Sequence, residues 1–319
     1  MKYRTDLALE SLELYESGQE NKRRMLEGAE YAKPFAEGKN SEAEVAHRIP
    51  GATCITEQYD NDIKITRIEI LDEQGEKIFA KKRGNYITLE IDGIIDGKEG
   101  IKERAAKALA FELKKLIPFH YNLKVLAIGL GNDKVTPDAL GPYAVSKMKI
   151  TRHLFLLYDC DGDSEMANVS GLIPGVMGST GIETADLIKR TAELVEPEVL
   201  LIIDSLAARD IKRVNTTIQI NDTGINPGSG MGNVRREISE ETIGKRVVAI
   251  GVPTVIDAET LVIDALSGFQ EAEEEIEEYL RQNPQELVVT STDIDLVIQD
   301  FSDIISNGVN IALHPGIYS

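Results

Sequence analysis

Three short apolar runs constrain this chain most: Leu123 to Ile128 (LKVLAI), Leu200 to Ile203 (LLII) and Val247 to Val252 (VVAIGV). Runs so brief and continuous fit strands covered on both faces, the pattern of a parallel sheet between helices. Helical patterns stand between them at Ala139 to Met148 and at Ile182 to Val195. That alternation predicts right-handed crossovers, with chemistry in the loops at the carboxyl ends of the strands. The expected fold class is α/β, a three-layer αβα sandwich with a mostly parallel central sheet. Upstream, Ile63 to Ile70 and Tyr86 to Ile91 read as strands of a small antiparallel sheet unit. Lys98 to Leu116 places Ile101, Ala105, Leu109, Leu113 and Leu116 on one helical face. A last helix over Asp293 to Ser306 is expected to pack back onto the sheet. The acidic run Glu271 to Glu278 reads as a solvated helix face, and Glu10 to His47 as one or two solvated helices or a mobile arm.

Charge and composition narrow the class of function. The chain has 319 residues, 42% of them apolar, enough for a real core in one to two domains. Its 54 acidic and 35 basic side chains give a net charge of −19, which opposes any grip on nucleic acid or anionic lipid through the net field. No run approaches the ~20 apolar residues of a membrane span, and Met1 to Glu10 lacks a signal-peptide stretch. A cytoplasmic location is expected. Cys54 and Cys160 have no CxxC spacing, fit a reducing compartment, and are expected to serve in packing.

The loops after the expected strands hold the candidate chemistry. Asp138 follows Pro137 ahead of a helical stretch; it reads either as an N-cap or as a carboxylate at the mouth of the sheet. Asp204 closes the run Leu200 to Ile203, where a buried carboxylate needs a partner, a proton or a salt bridge such as one to Arg209. Two aspartates meeting across the sheet edge cannot both be charged at low cost. One keeps a proton, and the pair suits water-mediated amide hydrolysis. Two glycine-rich loops can wall such a site: one with Gly175, Gly178, Ser179 and Thr180, the other with Asn221 and Asp222. Neither a dinucleotide fingerprint nor a Walker A loop is present, nor HExxH, nor G-x-S-x-G. His47, His120, His153 and His314 lack metal-ligand spacing, and the acidic neighbours of Cys160 disfavour a thiolate.

Five strings, VTPDALGP (Val135 to Pro142), PGVMGSTGIET (Pro174 to Thr184), IDSLAAR (Ile203 to Arg209), RVNTTIQINDTGINPGSGMGN (Arg213 to Asn233) and AIGVPTVIDA (Ala249 to Ala258), closely resemble the germination proteases of spore-forming bacteria. The likeness runs from Tyr3 to near Ala312. It implies an endopeptidase that degrades small acid-soluble spore proteins in the spore core during germination. It further implies a homotetramer made as a zymogen and a fold resembling the hydrogenase-maturation peptidases, of the phosphorylase/hydrolase-like type. No cofactor and no metal are expected, since two carboxylates without a nearby His or Cys make a weak transition-metal site. By the same resemblance the catalytic aspartates fall on Asp138 and Asp204. Thr5 to Glu10 (TDLALE) looks like a self-processing site cut between Asp6 and Leu7. Residues 1–6 would then be a short propeptide and 7–319 a single catalytic domain, with an arm over about 10–60 and a core from about 61. Two alternatives stand beside this reading: a metal-dependent peptidase using the same aspartates as ligands, and a non-catalytic acidic protein that binds basic spore proteins.

Overall fold

The apolar runs become strands, and the ladders they join extend well past the apolar residues. A computed structural model describes residues 4–27, 45–228, 235–266, 278–280, 282 and 286–318. Along the chain come α1 (Ala8–Glu27), β1 (Val45–Ile49), β2 (Ala52–Gln58), β3 (Ile63–Ile70), α2 (Glu73–Phe79), β4 (Gly84–Ile91) and α3 (Ile101–Leu116). Then follow β5 (Lys124–Gly129), α4 (Leu140–Lys147), α5 (Arg152–Tyr158), β6 (Asn168–Leu172), α6 (Met177–Thr180), α7 (Thr184–Val195) and β7 (Val199–Ala208). The chain continues through β8 (Thr217–Asn221), α8 (Glu240–Ile243), β9 (Arg246–Asp257), α9 (Ala258–Leu266), β10 (Val288–Val289) and α10 (Ile294–Leu313). Most of the acidic run at Glu271 to Glu278 lies outside the described residues.

Among the described residues one ten-stranded sheet has the order β1-β2-β3-β4-β8-β9-β7-β5-β6, with β10 on β9. The chain is α/β, as expected. The sheet, however, is mixed rather than mostly parallel, and the antiparallel strands are not a separate unit. Only β6, β5, β7 and β9 run parallel. The joint is β8, which pairs antiparallel with β4 on one side and with β9 on the other. Its sequence TIQIN has only two apolar residues and merges into a polar loop, so nothing local marks it as a central strand. Ile218 and Ile220 nonetheless reach the core, and Thr217, Gln219 and Asn221 are buried on the opposite face.

Alternation along the strands divides the core. One face carries Ile65, Leu89, Val125, Leu201 and Ile250 under α3, α4 and α10. The opposite face is covered in two places: Leu126, Ile128, Leu200 and Ile202 lie against Ile188 of α7 and Ile243 of α8, while Ile68 and Tyr86 lie against Leu9 and Leu12 of α1 and Phe79 of α2. Burying 70 or more apolar square ångströms per side chain at ~25 cal/mol per Å² makes each such contact worth about 2 kcal/mol. Between these two patches, over β8, β9 and the end of β7, lie residues Asp6 to Ala8, with Leu7 fully buried against Leu206 and Ala208. Cys54 sits in the core, whereas Cys160 is exposed, so the packing expectation fails for the second cysteine. No helix among the described residues is long and apolar enough to cross a membrane.

Candidate active site

After β5 the chain turns through a short 3₁₀ segment, Thr136–Asp138, before α4 begins. Asp138 does not cap that helix. Its Oδ2 accepts the Asn132 backbone N–H at 2.8 Å, and its backbone carbonyl accepts the same N–H at 3.1 Å. The loop can fold back so tightly because Gly131 takes φ +110°, where a Cβ would stand 1.9 Å from the Asp138 carbonyl oxygen. Thr254 of β9 fixes the segment from the other side, its hydroxyl donating to the Pro137 carbonyl at 2.7 Å. Gly141 lets α4 rest on the strand ends, since a Cβ there would meet the Leu130 and Ile203 carbonyls at 2.3 and 2.5 Å.

Asp204 does not end its strand. β7 continues four residues further because Ser205 to Ala208 find partners on β9, with a register shift after Leu206. Asp204 therefore sits inside the sheet, 6% exposed, and its Oδ1 accepts the Ser205 N–H at 2.9 Å. Of the alternatives for Asp204, a salt bridge to Arg209 is not made among the described residues; that guanidinium faces Asp264 at 3.6 Å and Glu13 at 4.0 Å. Burial first, and then the charge of nearby Asp138, push the Asp204 carboxyl well above the usual carboxylate range. Asp138 is raised as well, chiefly by burial. The Arg235 guanidinium draws both the other way without overcoming burial.

Both carboxyls open into one cavity of about 350 Å³, lined also by Asp6, Gly175, Leu206 and Arg235. The cavity lies at the carboxyl end of β5, where β6 lies on one side and β7 on the other, the usual site position in an open α/β sheet. Ser205 Oγ, in the same lining, is buried without a hydrogen-bond partner among the described residues. Among the described residues no group of three or more His, Cys, Asp or Glu side chains is placed to hold a metal ion.

Asp6 and Leu7 come to this cleft from the other end of the sequence. The Asp6 N–H donates to the Ala207 carbonyl at 3.0 Å, and its Oδ2 accepts the Ala207 N–H at 2.9 Å. Glu10 anchors the segment further on: its fully buried carboxylate accepts the backbone N–H groups of Arg209 and Asp210 at 2.8 and 2.9 Å and the Thr5 hydroxyl. On the far side of Asp6 and Leu206 lies a second cavity, also about 350 Å³, lined by Lys81, Tyr86, Gln219 and Asn221.

Of the glycine-loop residues, Gly175 reaches the cleft, while Gly178, Ser179 and Thr180 form the exposed helix α6 outside its lining. The Ser179 and Thr180 hydroxyls bond the Val176 carbonyl. Asn221 Oδ1 caps the turn at Thr223 and Gly224, and Asp222 ties β8 to β4 through two bonds from Asn85. Sequence reading passed over Arg235, Lys81 and Gln219. For Gln219 the signal was the alternation Ile218, Gln219, Ile220, which marks a strand with one polar face.

A family model described as germination protease matches residues 29–271 of the chain. Germination proteases of Caldanaerobacter subterraneus and Clostridium tetani are each 40% identical to it, covering 98% and 99% of this chain and 95% and 97% of their own lengths. The germination protease of Priestia megaterium is 38% identical over 82% of this chain and 85% of its own. With two aspartates sharing a cleft and a likeness that spans almost the whole sequence, the chain belongs to the germination protease family of peptide-bond hydrolases.

Proposed function

We propose that the chain is an aspartate-dependent endopeptidase that opens the degradation of small acid-soluble spore proteins during germination. Asp138 and Asp204 activate water together, and the protein is made as a zymogen that cuts itself between Asp6 and Leu7. The observation that carries this reading is a coincidence in space: a carboxyl pair with one member biased toward the protonated form shares its cavity with Asp6, the residue that precedes the buried Leu7.

Asp204 holds the shared proton and Asp138 the charge. Asp138 takes a proton from water as the water oxygen adds to the Asp6 carbonyl carbon. The carbonyl π pair moves onto oxygen, giving a tetrahedral oxyanion. When that oxyanion collapses, the C–N bond breaks and Asp204 gives its proton to the Leu7 nitrogen. Asp138 then returns its proton to Asp204, leaving a carboxyl terminus on Asp6 and an amine on Leu7. The same chemistry acts on spore proteins presented as extended segments with an acidic residue before a bulky apolar one. The setting is the spore core, and the working unit is a homotetramer.

Incubating purified protein with a peptide that carries TDLALE tests the reading. Cleavage that vanishes in both Asp138→Asn and Asp204→Asn supports it, and normal activity in either variant refutes it. Cleavage that survives strong chelation excludes the metal-dependent alternative. Salt-sensitive binding without any cleavage would instead favour the non-catalytic alternative.

A further inference from the structure

Gln219 is a buried polar side chain that neither the core nor the aspartate pair requires. It lies on β8 in register with Gly251 of β9, and Gly251 is in register with Asp204 of β7. Residues in register on neighbouring strands project to the same face. Asp204, Gly251 and Gln219 thus form one row across the sheet, and two strand spacings set Asp204 and Gln219 about 10 Å apart. The centre of the row carries no side chain of its own; Leu206 leans into that place, where a Gly251 Cβ would meet its side chain at 2.4 Å. The row therefore has a carboxyl at one end, an amide at the other and an apolar floor between, wide enough for an extended backbone.

Residues Asp6 to Ala8 lie over this row. The Gln219 amide meets them at two points: Nε2 donates to the Asp6 carbonyl at 3.0 Å, and Oε1 accepts the Ala8 N–H at 2.7 Å. One planar group thereby holds the carbonyl on one side of Leu7 and the N–H on its other side, as a neighbouring strand would. It reads backbone only, so it suits any sequence passing through the cleft. Leu7 itself is pressed onto Leu206.

We infer that Gln219 is the residue that clamps substrate backbone across the bond to be cut and donates to the scissile carbonyl. This rests on the reading that the bond following Asp6 is the one hydrolysed. The Nε2 donor then faces the oxygen on which negative charge grows when water adds, and a fixed neutral donor in a buried site stabilises that charge without reorganising. The Oε1 acceptor contributes alignment, holding the N–H two residues on so that the carbonyl cannot swing away from the water.

A cycle combining enzyme and substrate changes tests the clamp. The substrate is a TDLALE peptide, paired with an analogue in which an ester replaces the Leu-Ala amide and so removes the N–H that Oε1 accepts. On the unaltered enzyme the ester analogue loses about ten-fold in kcat/KM, the scale of one hydrogen bond to a well-ordered partner. Gln219→Leu loses about 10²-fold or more on the amide peptide, mainly in kcat, because the oxyanion donor goes with it. On Gln219→Leu the ester analogue shows no further loss. Gln219→Glu keeps an acceptor and lacks the neutral donor, so it falls as far in kcat. A full ten-fold ester penalty persisting in Gln219→Leu would overturn the clamp, and so would unchanged kcat in a folded Gln219→Glu. Mass spectrometry of the products on unaltered enzyme keeps the two readings apart: cleavage elsewhere than Asp-Leu sinks the processing-site reading and the clamp with it, whereas cleavage at Asp-Leu without coupling sinks the clamp alone.

Discussion

Asp6 and Ala207 stand 201 residues apart in sequence and are joined at two points, N–H to carbonyl at 3.0 Å and carboxylate to N–H at 2.9 Å. The pairing extends the sheet's hydrogen bonding onto the start of the chain. It also places a third carboxylate near the aspartate pair, and the Asp6 charge adds to those pressures that keep a proton on Asp204.

The three pressures are separable. Asp138→Asn removes the larger like charge and Asp6→Asn the smaller, so each lowers the titration of Asp204, the first by more. Neither returns it to the ordinary value, since burial is the largest cause. Carbon-13 titration of the Asp204 carboxyl in unprocessed protein measures this, and an unmoved midpoint in Asp138→Asn would separate the two groups electrostatically.

Asp204 is held at a cost in stability. A carboxyl raised in the folded state binds its proton more tightly there than in the unfolded chain. Its contribution is full below the ordinary carboxylate range and is lost as pH rises through the raised value. Asp204→Asn should therefore stabilise the protein at pH 8 by on the order of 1 kcal/mol or more, with the gain shrinking toward pH 4. Urea midpoints at the two pH values check the sign; equal midpoints for both proteins at pH 8 would contradict it.

Glu10 follows the same sign. Burial raises its carboxyl although the Thr5, Asp210 and Arg209 bonds pull it down. Docking of the amino-terminal segment is thus firmest in mild acid and loosens as pH rises through the raised value. Glu10→Ala strands the Arg209 and Asp210 N–H groups and slows self-processing by about ten-fold or more, equivalent to roughly 1.5 to 3 kcal/mol of docking. Hydrogen exchange at the Ala8 amide, followed in Asp204→Asn protein so that no cleavage intervenes, should lose protection from pH 5 to 8 after correction for intrinsic rates.

Gly131→Ala acts on Asp138, one of the two proposed catalytic groups. The substitution puts a side chain at positive φ and within 1.9 Å of the Asp138 carbonyl oxygen, so the loop must open and carry Asp138 with it. Stability falls by about 1 to 3 kcal/mol. The kcat falls at least ten-fold, because a reacting group shifted by an ångström is misaligned. Steady-state kinetics with a thermal melt distinguish this from simple unfolding; unchanged kcat in the folded variant would free Asp138 from its loop geometry.

Local pattern revealed much of this protein. The apolar runs around Leu126, Leu201 and Val248, and the helical stripe from Ile101 to Leu116, became core elements because hydrophobic periodicity records which side of a local element is buried. Asp138 and Asp204 stood out because a carboxylate beside an apolar strand needs a physical reason. The loop with Ser179 and Thr180 looked like part of the cleft wall because glycine marks a turn without saying which way it faces.

Everything set by distant pairing belonged to the tertiary structure. Whether β8 was loop or central strand depended on β4 and β9, which lie about 130 and 30 residues away and supply the hydrogen bonds its five residues lack by themselves. That pairing is what carries Gln219 into the row with Asp204 and turns the amino terminus toward Ala207. Sequence alone determined the strands β5, β7 and β9, the amphipathic helix α3 and the two candidate acids. Only the folded chain decided that the acids share one cavity and that Asp6 and Leu7 lie beside them, because contact between remote segments is bought by the whole sheet's closure and leaves no periodic trace in any one of them.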